Sequence, residues 1–161
     1  MSIAELLKQW RVNGGTPLTQ AQASQLLQQI DIPLNPSTRR PGIELRIALE
    51  QDPIFGPVIA FSYGRMAMDV WEDVAYRIVP LTPKDARLIV GEPKAASRLL
   101  GGYGSAKAPD AARIAQAILK LSELAQANPE IAEIDLDPVL ALPDGLVAKG
   151  ARITLAGAKG S

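Results

Sequence analysis

The last stretch of the chain constrains the fold most. Glu133-Ile134-Asp135-Leu136-Asp137 alternates acidic and apolar residues and runs on through Pro138-Val139-Leu140-Ala141-Leu142. Pro143-Asp144-Gly145 and a second apolar run from Leu146 to Leu155 follow. Strand side chains change sides at every residue, so Glu133, Asp135 and Asp137 share one face and Ile134 and Leu136 the other. Asp-Gly between two apolar runs is a hairpin signal. The pattern predicts an antiparallel hairpin with arms at 132–142 and 146–155. Three carboxylates on one face repel unless a cation lies among them. That cation is a metal, a positive group of a ligand, or a nearby Lys or Arg. The blander reading is a solvated face of an antiparallel sheet.

Bulk properties narrow the function classes. The 161 residues are 47% hydrophobic and 4% aromatic, enough for one largely aliphatic core. Lys plus Arg and Asp plus Glu each number 17, so no global field recruits nucleic acid or an anionic membrane. No stretch approaches a membrane span. The opening residues, with Glu5, Lys8 and Arg11, lack the apolar centre of a secretion signal. These features read as a soluble, cytoplasmic chain with neither nucleic acid nor membrane as partner. Cys and His are both absent. Disulfides, thiolate catalysis, zinc–thiolate sites and Ser-His-Asp chemistry are therefore excluded within the chain. A metal here is a hard, oxygen-bound ion such as magnesium.

In chain order, Ser2 with Glu5 three residues later, and the stripe Ile3, Leu6, Leu7, Trp10, predict a helix over 2–12. A second helix is expected from Thr19 to Ile30, ended by Asp31-Ile32-Pro33. The proline-bounded stretch 34–41 reads as a linker, with Arg39-Arg40 a solvated pair or an anion contact. Strands are expected at 43–50, 57–63 and 67–80, the last interrupted near Trp71-Glu72-Asp73. Thr82-Pro83 opens a helix over 83–91. Short and long helices follow at 95–100 and 109–127, the latter with a broad apolar face from Ile114 to Ala125. The glycine-rich Gly101-Gly102-Tyr103-Gly104-Ser105 lacks Walker spacing and reads as a connector rather than a phosphate cradle. The tail 157–161 is expected to fray.

Several motifs stand in a specific order. They are Gly42-Ile43-Glu44-Leu45, Asp52-Pro53-Ile54-Phe55-Gly56-Pro57, Glu72-Asp73-Val74-Ala75-Tyr76-Arg77-Ile78-Val79-Pro80-Leu81, Leu99-Leu100-Gly101-Gly102-Tyr103, and Pro129-Glu130-Ile131-Ala132-Glu133-Ile134-Asp135-Leu136-Asp137-Pro138, closing at Ala151-Arg152-Ile153. Together with residues 18–33 they resemble the ATP-grasp part of the ADP-forming (NDP-forming) acyl-CoA synthetases, a region also carried by large bacterial protein lysine acetyltransferases. The resemblance covers about residues 17–155. It implies an α+β fold, a mostly antiparallel sheet with helices packed on one face, as half of an ATP-grasp. It divides the chain into N-terminal helices at 1–33, a linker at 34–41, the ATP-grasp-like domain at 42–156 and the tail.

The resemblance also implies chemistry. Family members interconvert acyl-CoA, ADP and phosphate with free acid, CoA and ATP through a phosphorylated histidine on another domain or chain. The implied ligand is magnesium–ATP or magnesium–ADP. The implied nucleotide-site positions are Gly56, Gly64, Arg65 and Asp135, and the implied metal ligands are Asp135 and Asp137. The departures are equally specific. The family carries a long segment where this chain has only residues 34–41, and that segment bears the phosphate-binding lysine and much of the adenine pocket. Asp137 stands where the family has Asn, Gly150 where it has a metal-binding Asp, and Arg65 where it has Gly. Arg65 then contacts an anion or blocks the old pocket. Lys149 or Arg152 is expected to neutralise Asp135 and Asp137 in the metal's place. The expected function is a shortened synthetase-like protein, non-catalytic alone, acting by association with itself or with a synthetase-like chain. The alternative is a magnesium–nucleotide-binding subunit of an ADP-forming acyl-CoA ligase completed by another polypeptide.

Overall fold

A computed structural model describes residues 2–11, 17–64 and 72–156. Arg65, the first part of the strand expected at 67–80, Trp71 and the tail 157–161 lie outside the described residues. The helices begin where the side chains cap them. Ser2 and Glu5 form a reciprocal capping box before α1 (Ile3–Trp10), and Thr19 and Gln22 do the same for α2 (Gln20–Gln28). Thr82 and Asp85 cap α3 (Pro83–Gly91), with Pro83 in its first turn. After the short α4 (Ala96–Leu99), Asp110 accepts from the Ala112 and Arg113 N–H groups at the start of α5 (Ala111–Ala127). Each cap satisfies backbone donors that the first helical turn leaves without partners.

The strands are β1 (Ile43–Asp52), β2 (Gly56–Ser62), β3 (Val74–Ile78), β4 (Ile131–Leu142), β5 (Gly145–Ala148) and β6 (Ala151–Leu155). They form one antiparallel sheet in the order β3-β2-β1-β4-β5, with β6 also on β4. The expected α+β architecture is the observed one. Ile47, Leu49, Ile59, Phe61, Ile134 and Leu136 are all buried and share a core with Ile89, Ile114, Ile118 and Leu121 of α3 and α5. Asp31, just after α2, contacts Lys120 of α5, and Leu26 and Leu27 of α2 lie in the same core.

Two elements depart from expectation. The strand expected at 146–155 is two strands. At the break the Lys149 N–H donates to the Pro138 carbonyl, and the Gly150 carbonyl accepts from the Asp137 N–H at 3.1 Å. β5 therefore pairs with the second half of β4 and β6 with the first. The stretch expected as a linker covers a sheet edge. The Pro33 carbonyl accepts from Ala148 N–H and Asn35 N–H donates to the Ala148 carbonyl, each at 2.8 Å. Leu18 N–H donates to the Ile153 carbonyl beside them, also at 2.8 Å. Leu26, Leu27, Ile30 and Ile32 are buried in the common core.

The other edge, β3, is guarded differently. The Arg77 guanidinium donates to the Tyr76 carbonyl at 2.8 Å and makes two 2.9 Å bonds to Glu92 at the end of α3. Covering an edge carbonyl this way discourages pairing with another strand. The Arg77 hydrogen bond lowers the Glu92 pKa. A carboxylate held below its unfolded value of about 4.3 contributes stability above that pH and loses it as pH falls through the folded value. The pair is partly exposed, so its contribution is below about 1 kcal/mol. Glu92→Gln should thus melt slightly lower than the parent at pH 7, and the gap should close below about pH 4. A gap that persists in acid would refute the assignment.

Candidate functional site

The sheet face opposite the helices carries the site. β1 alternates the core residues Ile43, Leu45, Ile47 and Leu49 with Glu44, Arg46, Ala48 and Glu50, of which Ala48 is buried too. Ala48 pairs with Asp135 of β4 on one side and Ala60 of β2 on the other. Both alanines are buried. Between Leu45 and Ile47 the register shifts, so the single residue Arg46 faces the two residues Asp137 and Pro138. A two-against-one bulge re-aims the side chains around it. Arg46 reaches Asp135 with its Nε at 3.0 Å and Glu50 with Nη2 at 3.5 Å. Its side chain is only 12% exposed, against 25% for Asp135. Burial opposes the guanidinium charge, but the hydrogen bond and attraction of Asp135, with Glu50 behind it, outweigh burial and raise the Arg46 pKa. The cation on Asp135 is therefore Arg46, 89 residues away in sequence, rather than Lys149 or Arg152. Arg152 pairs with Asp135 through the backbone register.

Arg46, Ala48, Glu50, Glu133, Asp135 and Thr154 line a depression of about 490 Å³. The Thr154 Oγ1 is buried there without a hydrogen-bond partner among the described residues. A second depression opens towards β3, between Asp52, Phe55, Val58, Tyr76 and Ile78. Phe55, Tyr76 and Ile78 are 59%, 55% and 51% exposed. The open face is thus half acidic and half apolar.

The residues implied by resemblance are spread over this face. Gly56 begins β2 opposite Asp52, and Gly64 follows the strand's other end. Gly56 lies four residues along β2 from Ala60, roughly 13 Å at the usual strand rise, and Gly64 stands two residues past the strand's other end. The structure does not bring the two glycines together with Asp135. Asp137 is one of the two bulged residues, and Asp135 lies two residues before it, opposite Ala48. Among the described residues no group of three or more His, Cys, Asp or Glu stands close enough to hold a metal. Gly150 supplies no carboxylate, and a Cβ there would stand 2.4 Å from the Asp137 carbonyl oxygen. With Asp135 bonded to Arg46, Asp135 and Asp137 do not fit a magnesium cage. A divalent ion held by so few carboxylates keeps several of its waters.

The alternation of Ile43, Leu45, Ile47 and Leu49 with Glu44, Arg46 and Glu50 puts Arg46 on the polar side of its strand but assigns it no role. The available signal was that it is the one cation between Glu44 and Glu50 on that side. Its partner was not visible, because it depends on a register shift in a distant strand.

Comparison with known proteins adds the lineage. Residues 36–155 match the model of an ATP-grasp domain. The chain is 37% identical over 114 residues to the beta subunit of acetate–CoA ligase (ADP-forming) I of Pyrococcus furiosus, covering 71% of this chain and 49% of that one. It is 36% identical over 112 residues to a 4-hydroxybutyrate–CoA ligase (ADP-forming) of Nitrosopumilus maritimus, covering 70% of this chain and 16% of the relative. Among solved structures it resembles an acetyl-coenzyme A synthetase of Ca. Korarchaeum cryptofilum in complex with coenzyme A and Mg-AMPPCP. That match has a TM-score of 0.66 and 39% identity and covers 72% of this chain and 54% of that one. The chain spans about half the length of the curated subunit and a smaller part of the longer ligase.

Proposed function

The chain belongs to the ATP-grasp domain family, and from that premise we propose that it is the sheet half of a synthetase-like grasp that acts by association. It docks through the open face on a synthetase-like chain, or on a second copy of itself, and does not transfer phosphoryl groups alone. One observation carries this reading. The open face presents Phe55, Tyr76 and Ile78 to solvent beside the acidic depression. Contiguous apolar surface of this kind marks interaction sites. The donor set on the same face supports the non-catalytic part. Phosphoryl transfer is mostly positioning and cation stabilisation of the phosphates. Here Asp135 is held by Arg46, and position 150 offers no carboxylate.

The test has two parts. Calorimetric titration of the purified chain with magnesium–ADP and magnesium–ATP should give no saturable heat. Sedimentation, alone and mixed with an ADP-forming synthetase chain, should give a complex. Tyr76→Ser combined with Ile78→Ser should weaken that complex by about tenfold or more, the loss of two exposed apolar anchors. Micromolar nucleotide binding by the chain alone, with turnover once the second chain is added, would replace this reading with that of a magnesium–nucleotide-binding ligase subunit. A monomer that forms no complex would end it.

A further inference from the structure

We propose that Arg46 is the resident cation of the acidic row, and that its guanidinium closes the row to divalent metal ions. The inference deepens the reading of the chain as non-catalytic but rests only on the geometry around Asp135. Three observations converge. The bulge sets Arg46 opposite Asp137 and Pro138 and within 3.0 Å of Asp135. Glu50, four residues along the same strand, takes a second guanidinium nitrogen at 3.5 Å. The arginine side chain is only 12% exposed, so it has little room to swing into solvent.

Magnesium demands oxygens near 2.0–2.1 Å in octahedral array, and dehydrates reluctantly. To reach the Asp135 carboxylate it would have to displace the guanidinium. The displaced cation would stay half-buried beside the dication, where like charges repel with little screening. A guanidinium cannot shed its proton to relieve that repulsion. The charge on Asp135 is therefore countered by the protein itself, without dependence on metal supply.

Exclusion by Arg46 makes an unusual forecast, because removing a charge should create a binding site. Mn²⁺ is the probe, read by electron paramagnetic resonance of the free ion with the whole chain in solution. The parent protein should show no saturable binding below about 1 mM, the range of weak oxygen sites. Arg46→Met should gain saturable binding, tighter by at least about tenfold, as ligand charge count rises. Adding Asp135→Asn to that variant should abolish the gain. If Arg46→Met does not fold by circular dichroism, Arg46→Gln, which keeps a donor for Asp135 without the charge, takes its place and should show the same gain. Saturable binding by the parent that Asp135→Asn abolishes would overturn the proposal. So would a folded, charge-free variant that gains nothing. No partner and no nucleotide enters the assay, so failure of the association reading leaves this result standing, and the reverse also holds.

Discussion

Replacing Gly150 with Asp is expected to lower the melting temperature by roughly 6–12 °C, for a cost of about 3 kcal/mol, and to leave magnesium binding unrepaired. The family carries an acid at this point of the hairpin, so the substitution looks like a restoration. The backbone argues otherwise. A Cβ at position 150 would meet the Asp137 carbonyl oxygen at 2.4 Å and its carbonyl carbon at 3.3 Å. Both are main-chain atoms in a locked contact. The Asp137 N–H donates to the Gly150 carbonyl at 3.1 Å, and the Lys149 N–H to the Pro138 carbonyl at 2.9 Å. Overpacking usually costs about 1–3 kcal/mol because neighbouring side chains give way. Here no side chain can yield, so the upper end applies. Gly150→Ala separates shape from charge and should lose nearly as much. Thermal unfolding followed by circular dichroism checks both. An alanine variant as stable as the parent would refute the close approach.

Phe61→Ala is expected to cost about 3–5 kcal/mol, a fall of roughly 6–20 °C. Phe61 is fully buried in β2, between Ile47 of β1 and Ala75 of β3 in register. Its ring meets Tyr63 edge-on, with centroids 5.1 Å apart and planes at 79°. The Tyr63 hydroxyl donates to the Val90 carbonyl at 2.6 Å, which ties the end of β2 to α3. In a core this aliphatic, no second aromatic layer collapses into the void, so the cavity penalty adds to the lost transfer energy. Tyr63→Phe keeps the ring contact and should cost only about 1 kcal/mol. Chemical denaturation of the two variants gives the ratio. A Phe61→Ala variant within about 1 kcal/mol of the parent would mean that the ring does not organise this core.

Much of this was readable in the residues. Ser2 with Glu5, and Thr82 with Pro83, marked helix starts that the structure caps with those side chains, while the Thr19–Gln22 box emerged only in the fold. The stripe from Ile114 to Ala125 became the buried side of α5. The alternation of 43–50 and 132–142 separated core from open face. The lineage was legible too, since the order of short motifs pointed to the family that residues 36–155 match. Less was legible about the site. The acidic row was visible as a problem in charge, and an arginine or lysine was among its possible answers. Lys149 and Arg152 were nearer in sequence, while the arginine that answers it lies on another strand.

What the sequence determined by itself was local. Caps, turns and alternation depend on residues within a turn or two of one another, so their physics is contained in a short window. Tertiary structure alone decided which residues meet. The break at Lys149-Gly150 exists because two backbone bonds to Asp137 and Pro138 divide one arm into β5 and β6. The segment Pro33–Asn35 is a sheet edge cover because Ala148 offers it a free N–H and carbonyl. Arg46 meets Asp135 because one residue of β1 faces two of β4. Register between distant strands is set by the packing of the whole sheet against its helices, and a shift of one residue redirects every side chain beyond it.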